Sequence, residues 1–258
     1  MTVFSQIRSL FFGSVFLTAG FASLPFAIVG LILKGRPLDI FNKSKLSEAN
    51  FTFLWAIVGK PSVADAKITG KTISQAYGVV LDLGPGTGYT VHHFDKSKTT
   101  KIFGIEPNKA FHPALQAAID AAGLTDIYTI VGTGVEDSET LKKFGIEEGS
   151  IDTIVACKVL CSVPEPKATI AELYKILAPG GLFLVYEHIK AKGGVGLIAQ
   201  GLANTVWPFL MAGCNLCRPT EAYLYGAGEW EVTELGHPEG TGGHEFITFT
   251  QGRLIKKK

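Results

Sequence analysis

The hydrophobic pattern begins with a run that does not alternate at all. No charged residue lies between Arg8 and Lys34, and 14 of the 25 residues from Ser9 to Leu33 are Leu, Ile, Val or Phe. Wound as a helix at about 1.5 Å per residue, such a run is roughly 37 Å long, against a hydrocarbon core of about 30 Å. It predicts an apolar helix that anchors the chain in a lipid bilayer through residues 9–33. Pro25 lies inside it, so a kink or a hairpin that returns to the same face is an open alternative. Gly20-Phe21-Ala22 offers the small residues of a signal-peptide cleavage site. Apolar character continues past it for about ten residues, longer than a signal core needs, which favours the anchor. One Arg precedes the run, whereas Lys34, Arg36, Lys43 and Lys45 follow it, which places the body of the protein on the cytosolic side. A second apolar stretch, Phe51–Val58, is too short to span; it lies at the interface or packs under the main domain.

From Tyr77 the texture changes to short β-rich runs alternating with helical ones. Strands are expected at Val79–Leu83, Lys101–Ile105, Ile127–Val131, Ile151–Ala156 and Leu182–Tyr186, and helices at Ala110–Ala122 and Lys167–Leu177. Alternation of this kind builds βαβ units and a mostly parallel sheet. Pro179-Gly180-Gly181 ends the last helix and turns the chain into a strand. Glu229–Leu235 and Glu245–Thr250 read as two further strands with no helix between them, hence an antiparallel pair. The expected organisation is an anchor over residues 1–34, a basic linker and helical lead-in over 35–76, and an α/β domain over 77–258. An insert at 191–228 has a largely helical apolar middle, Leu197–Met211. The final Lys256-Lys257-Lys258 reads as a solvated tail.

Composition adds exclusions. Apolar residues make up 47% of the chain and charged ones 18%, with a mean hydropathy of +0.26, so disorder is not the main state. A net charge of +1 gives no footprint for nucleic acid. Four cysteines in 258 residues do not make a disulfide scaffold.

The candidate chemistry starts at Val79-Val80-Leu81-Asp82-Leu83-Gly84-Pro85-Gly86-Thr87-Gly88. A buried strand runs into a glycine turn that is expected to open a helix, with glycines where the backbone turns sharply and where a ligand must approach the main chain. The spacing is G-x-G-x-G, one residue short of the dinucleotide fingerprint, with Tyr89 where that fingerprint has its third glycine. It resembles class I methyltransferases, which bind S-adenosylmethionine. The second strand ends in Glu106-Pro107, where a carboxylate accepts from two ribose hydroxyls. Gly134-Val135-Glu136-Asp137 follows the third strand at the position that touches adenine in the class I fold; Glu136 and Asp137 equally suit the start of a helix. Cys157, Lys158 and the loop to Val163 follow the fourth strand and should border the cofactor, because ligands in open α/β sheets sit beyond the carboxyl ends of the strands.

Val159-Leu160-Cys161-Ser162-Val163, then Leu177-Ala178-Pro179-Gly180-Gly181 through Glu187-His188, then Gly213-Cys214-Asn215-Leu216 occur in that order behind an apolar amino terminus. Together they resemble the methyltransferase-like seven family, thiol methyltransferases of the endoplasmic reticulum membrane and lipid droplets. The similarity runs from Val79 to the carboxyl terminus. It departs at Pro85, where the family commonly has Cys, at Glu106, where Asp is common, and after Leu216. The resemblance implies a Rossmann-like class I methyltransferase fold: a mostly parallel seven-stranded sheet with a C-terminal antiparallel hairpin, plus the N-terminal apolar helix. It also implies methyl transfer from S-adenosylmethionine to a small-molecule acceptor, first a thiol sulfur, at the endoplasmic reticulum or a lipid droplet.

On the acceptor side, His188 follows the fifth strand and could take or orient the acceptor proton, or simply cap the strand end. Trp207, Phe209 and Met211 of the insert, with Cys214 and Asn215, are the candidate acceptor pocket, although the insert also suits a membrane surface. Cys214-x-x-Cys217 has the spacing of half a zinc site, but its partners would be Cys157 and Cys161, four apart, with no histidine spacing in support. Buried structural thiols and no metal are therefore expected. The competing functional readings are an O-, N- or C-methyltransferase of a lipid, quinone or natural product, and a membrane-bound scaffold that keeps the fold without catalysis.

Overall fold

A computed structural model describes residues 3–258, with side chains from Gln6 onward. Seven strands, β1 (Gly78–Leu83), β2 (Thr99–Ile105), β3 (Tyr128–Val131), β4 (Ile151–Cys157), β5 (Leu177–Ile189), β6 (Trp230–Gly236) and β7 (Thr248–Lys256), form one sheet in the order β3-β2-β1-β4-β5-β7-β6. The first five are parallel, and β7 runs antiparallel between β5 and β6. Both faces are covered, which explains why the central strands read as continuous apolar runs. On one face α3 (Val63–Ile73) and α4 (His112–Ala121) press Ile73, Leu115 and Ile119 onto Val80 and Ile102. On the other, α5 (Ser138–Lys143), α6 (Pro166–Ile176) and α9 (Thr220–Tyr225) press Leu141, Ile170, Leu173 and Leu224 onto Leu81, Ile154 and Phe183. Each such Leu, Ile or Phe, fully buried, contributes about 1.5–3 kcal/mol.

Three expectations are corrected. The glycine turn does not open an α-helix: only a short 3-10 turn, Val91–His93, stands between it and β2. Ten residues separate Gly88 from Thr99, two of the first three (Thr90 and Val91) are β-branched, and Asp95 accepts from Ser97 N at 2.9 Å, which turns the chain before a helix can propagate. The last strand starts at Thr248, because the buried Glu245 carboxylate gathers the amides of Gly242, Gly243 and His244 into a loop. The terminal lysines are not a free tail either. Lys256 lies in β7 and donates to Tyr174 O and Leu177 O at 2.8 and 2.7 Å.

The segment before the sheet builds a third core. The apolar run forms one helix, α1 (Val3–Leu33), continuous through Pro25 rather than a hairpin. It lies along α2 (Lys43–Val58), which absorbs Phe51–Val58 and is capped by Asn42 through Ser44 N and Lys45 N. The insert supplies α7 (Gly194–Ala203) and α8 (Trp207–Leu210). Leu54, Trp207, Leu210, Met211 and Phe246 form the centre, with Leu10, Leu17 and Leu24 of α1 packed against it. The buried positions of α1 are Gly13, Gly20, Ser23, Ala27 and Leu31, a stripe of mostly small residues that lets the helix come close. A Cβ on Gly20 would touch Leu210 at 3.1 Å, and one on Gly13 would enter the Phe246 ring. The seam is closed by polar groups in a dry setting. Ser23 Oγ donates to Asn50 Oδ1 at 2.7 Å, Asn50 Nδ2 donates to Gly20 O at 3.1 Å, and Ser9 Oγ accepts from Ile247 N at 3.0 Å. The outer face of the same helix carries Phe11, Phe12, Phe21, Phe26 and Val29, all exposed.

Because Asn50 is fully buried and serves both α1 and the insert, Asn50→Ala should destabilise the chain by about 1–3 kcal/mol. Denaturant unfolding in detergent measures this; a change within error would show that the seam contributes nothing.

Candidate active site

The carboxyl ends of β1, β2, β4 and β5 converge under α2 and the insert. After β1, Gly84, Gly86 and Gly88 have φ of +59°, +59° and +82°, values that favour glycine. Two of them also allow close packing: a Cβ on Gly84 would lie 2.7 Å from Val159, and one on Gly88 would lie 2.6 Å from Ala118 in α4. Gly86 differs. Its missing Cβ faces only Trp55 Nε1 of α2 at 3.7 Å, so this glycine leaves room for a ligand beneath α2 rather than for the chain itself. Pro85 is buried in the turn, and Thr87 Oγ1 is buried with no hydrogen-bond partner.

Glu106, just past β2, bridges the turn to the next loop. Oε2 accepts from Gly86 N and Oε1 from Asn108 N, each at 2.9 Å, while Asn108 Nδ2 donates to Thr52 Oγ1 of α2 at 2.8 Å. Pro107 between them is exposed. Burial pushes the Glu106 carboxyl up, against the lowering effect of the two amides. Asp82 sits deeper, accepting from Tyr128 Oη at 2.7 Å, and burial raises its pKa to about 7. Asp137 caps α5, accepting from Thr140 N at 3.1 Å and Thr133 Oγ1 at 2.9 Å, and the exposed Glu136 folds back on Gly134. Of the two readings open for this pair, Asp137 has the helix-start geometry.

The other half of the site lies past β4 and β5. Cys157 ends β4, and Lys158 follows at φ +60°, an uncommon value for a residue with a Cβ. Its ammonium pairs with Asp65 of α3 at 3.0 Å, and Asp65 also accepts from Tyr186 Oη at 2.7 Å. Next along the loop, Val159 N and Leu160 N donate to Glu187 Oε1 at 2.7 and 2.8 Å. Glu187 is fully buried, its Oε2 has no partner, and burial lifts its pKa to about 7. His188 Nδ1 lies 3.4 Å from Cys214 Sγ, and its ring is tilted against Phe249. Asn215 N donates to Cys161 O at 2.8 Å, and its own Oδ1 accepts from Cys217 N at 2.9 Å. Trp207 and Met211 are buried and Phe209 half-buried in the third core, and Trp207 Nε1 has no partner.

The cofactor-side and acceptor-side candidates thus share one edge of the sheet, except for Glu136 and Asp137, which are turned to α5. Two groups had little signal in the sequence. The aromatic cover, Phe51 stacked on Trp55 at 5.0 Å and edge-on to Phe111 at 6.2 Å, comes from an apolar stretch whose partner was open. Glu187 looked like any acid at a strand end; its burial next to His188 is the missing cue. The cysteines also regroup. Cys161, Cys214 and His188 come together, and among the described residues Cys157 and Cys217 do not join them. A surface groove lined by Tyr77, Lys98, Gly180 and Arg253 lies at the opposite end of the strands.

The Glu187 carboxyl has an ordinary value of 4.5 and a folded value of about 7. The folded chain therefore holds this proton more tightly than the unfolded chain, and the contribution to stability is complete below about 4.5 and lost as pH rises through 7. Between pH 5 and pH 8 the wild type should lose about 1–3 kcal/mol more than Glu187→Gln, measured by denaturant unfolding at each pH. Parallel pH profiles would remove the buried acid from the account.

Comparison with known proteins agrees with this geometry. Residues 60–219 match the family model described as a methyltransferase domain. Thiol S-methyltransferase TMT1B of Rattus norvegicus is 30% identical over 143 residues, 55% of each chain, and the TMT1B of Homo sapiens is 27% identical over 156 residues, 60% of this chain and 61% of that one. The match thus spans little more than half the length of these relatives. An O-methyltransferase family protein from Burkholderia thailandensis superposes with a TM-score of 0.57 at 15% identity, covering 83% of this chain and 60% of that chain, which bears on the fold alone. With its Rossmann-like sheet, glycine turn and strand-end carboxylate, the chain belongs to the class I methyltransferase family, whose methyl donor is S-adenosylmethionine, and resembles the thiol S-methyltransferases within it.

Proposed function

We propose that this chain is a membrane-associated enzyme that transfers a methyl group from S-adenosylmethionine to the sulfur of a small lipophilic thiol. One observation carries the reading. The buried side-chain atoms without partners among the described residues, Thr87 Oγ1, Glu187 Oε2 and Trp207 Nε1, all lie at the carboxyl-end edge of the sheet, on the glycine turn, at the end of β5 and in the insert. Buried polar atoms are normally paired, so an unpaired set on one edge marks groups that await ligands. The cofactor's fit is tested on the same residues: Gly86 leaves space below Trp55, Thr87 offers a free hydroxyl, and Glu106 uses one lone pair on each oxygen and keeps others for ribose hydroxyls.

Bound there, S-adenosylmethionine supplies a methyl on a positively charged sulfur that is its own leaving group. The chain's residues then have to align and desolvate the acceptor, a contribution that reaches several kcal/mol. Trp207, Met211 and Cys214 give the acceptor an apolar wall, with Phe209 and Asn215 at its margin. Glu187, titrating near 7, is matched to take a proton from a thiol of ordinary pKa about 8.5, and His188 orients the sulfur. Lys158 and Cys157 hold the loop between the two ligands. The thiol is chosen over oxygen, nitrogen or carbon because a thiol needs little base help and because the relatives matched over half their length are named for it.

The outer face of α1, unpaired and apolar over 28 residues from Gln6 to Leu33, supports seating in a membrane with the catalytic domain on the cytosolic side, and the family resemblance points to the endoplasmic reticulum or a lipid droplet.

Glu106→Ala should weaken S-adenosylmethionine binding at least tenfold by calorimetry, about 1.4 kcal/mol or more; unchanged affinity would displace Glu106 from the site. Labelled methyl should pass to a panel of alkyl and aryl thiols. Label on alcohols or amines alone would overturn the sulfur assignment. Phe11→Glu, Phe21→Glu and Val29→Glu together should move the chain from the carbonate-washed membrane pellet to the supernatant, since each acid costs about 2.5–3.5 kcal/mol in hydrocarbon. Retention in the pellet would mean that α1 is not the membrane contact.

A further inference from the structure

The Cys161, Cys214 and His188 side chains meet on the acceptor side of the site, away from the cofactor turn. One ligand atom from each, two Sγ and a ring nitrogen, lies within 4.8 Å of the others. Both cysteines are buried, and the histidine is partly exposed. A tetrahedral zinc ion with Zn–S of about 2.3 Å and Zn–N of about 2.0–2.1 Å sets its ligand atoms about 3.5–3.8 Å apart. His188 Nδ1 and Cys214 Sγ are already 3.4 Å apart, so an ion needs only a small adjustment of the group.

The two loops that carry the sulfurs are fastened to one another rather than met by chance. Asn215 N donates to Cys161 O at 2.8 Å, and Gly213, at φ +86°, lets its backbone pass Ser162 O where a Cβ would stand at 3.1 Å. Ala212 just before it is held at φ +46°, a conformation that costs a residue with a Cβ about 1 kcal/mol or more and persists only where the surroundings impose it. Arg218 Nη1 donates to Leu160 O at 2.6 Å, which ties the segment after Cys214 to the loop that carries Cys161.

We propose that Cys161, Cys214 and His188 bind one zinc ion with three protein ligands, leaving the fourth position for the sulfur of the acceptor. Three N/S ligands and an open position are the arrangement of reactive rather than structural zinc. The ion carries the acceptor chemistry further than His188 alone. On coordination the acceptor S–H bond breaks, its proton passes to water, and a zinc–sulfur bond forms; a thiol coordinated to zinc is deprotonated outright. The thiolate keeps a lone pair for the methyl carbon, whose bond to the donor sulfur breaks with its electron pair going to that sulfur. The zinc–sulfur bond weakens as the neutral thioether leaves. This role rests on the thiol reading above; the metal site itself does not. In it His188 is a zinc ligand.

The test uses the full chain in detergent, purified after expression with zinc and analysed by mass spectrometry for metal and for intact mass. About one zinc per chain is expected, falling below about a tenth in Cys214→Ser and in His188→Ala, with S-adenosylmethionine binding retained in both to show that they fold. After exchange with cobalt, thiolate-to-metal absorption should appear in the ultraviolet, and ethanethiol, but not ethanol, should shift the visible bands. A metal-free chain that methylates thiols at full rate overturns the inference and leaves the proposed function intact. A zinc-bound chain that responds to ethanethiol but transfers no methyl overturns the function and leaves the site. Zinc bound without a spectral response to the thiol overturns the acceptor role. A metal-free chain two mass units light, from a Cys161–Cys214 disulfide, overturns the site.

Discussion

The Glu187 carboxylate accepts from the amides of Val159 and Leu160, and through that pair it fixes the loop after β4. Val159 is the residue that presses on Gly84, where no Cβ fits, so the same loop sets the cofactor turn on one side. Two residues on, Cys161 reaches the third core and the Gly213–Asn215 turn on the other. A carboxylate buried to this extent is unfavourable unless its lone pairs are used or its proton is kept. Here one oxygen is saturated by two amides, which lower the pKa, and the other is left over; burial outweighs the amides and lifts the pKa to about 7. The group that holds the two halves of the site in register is therefore also the group with a proton affinity suited to a thiol.

The amino-terminal helix shows how one sequence run satisfies two environments. A spanning helix in lipid is apolar all round, and so is a helix buried in a soluble core; α1 is apolar both on the stripe packed against the third core and on its exposed face. Its inward stripe of Gly13, Gly20, Ser23 and Ala27 is small, as helix contacts in lipid are, and through Gly20 and Ser23 it makes the hydrogen bonds to Asn50 that lipid could not supply. Its outward stripe is large and aromatic. Hydropathy alone sums the two stripes and reports only their total.

This division also separates what was legible in the sequence from what was not. Parallel strands buried on both faces leave a strong local mark, Val-Val-Leu-Asp-Leu and Ile-Asp-Thr-Ile-Val-Ala, and their order follows from short right-handed connections. The glycine turn and Glu106 carry the same local quality, because the constraint on each is its own backbone or its place at a strand tip. The aromatic cover from α2, the burial of Glu187 and the grouping of Cys161 with His188 and Cys214 are set by contacts between segments 26 to 60 residues apart in the chain. No periodicity records such contacts. The Cys214-x-x-Cys217 spacing misdirects for the same reason: Asn215 turns that segment so that only Cys214 faces the site. The missing helix after the glycine turn is a case of local rules competing, with two β-branched residues and an Asp-Ser turn outweighing the familiar strand-turn-helix order.

The third core joins these threads, since its residues pack on the apolar amino-terminal helix and border the candidate acceptor side at once. Leu210 and Met211 touch Gly20 of α1 on one side, while Trp207 and Cys214 line the candidate pocket on the other. Exposed Val195, Ile198 and Leu202 of α7 continue the apolar surface of α1 outward, and α7 packs directly on α1. On the proposed function, a lipophilic acceptor in a bilayer would meet apolar surface from α1 to the sulfur-bearing loops, whereas S-adenosylmethionine, which is charged and water-soluble, would meet the glycine turn beneath α2. Separate approaches for the two substrates would then follow from where the chain places its own surfaces. The docking of α1 on the insert would be a part of acceptor selection on that reading.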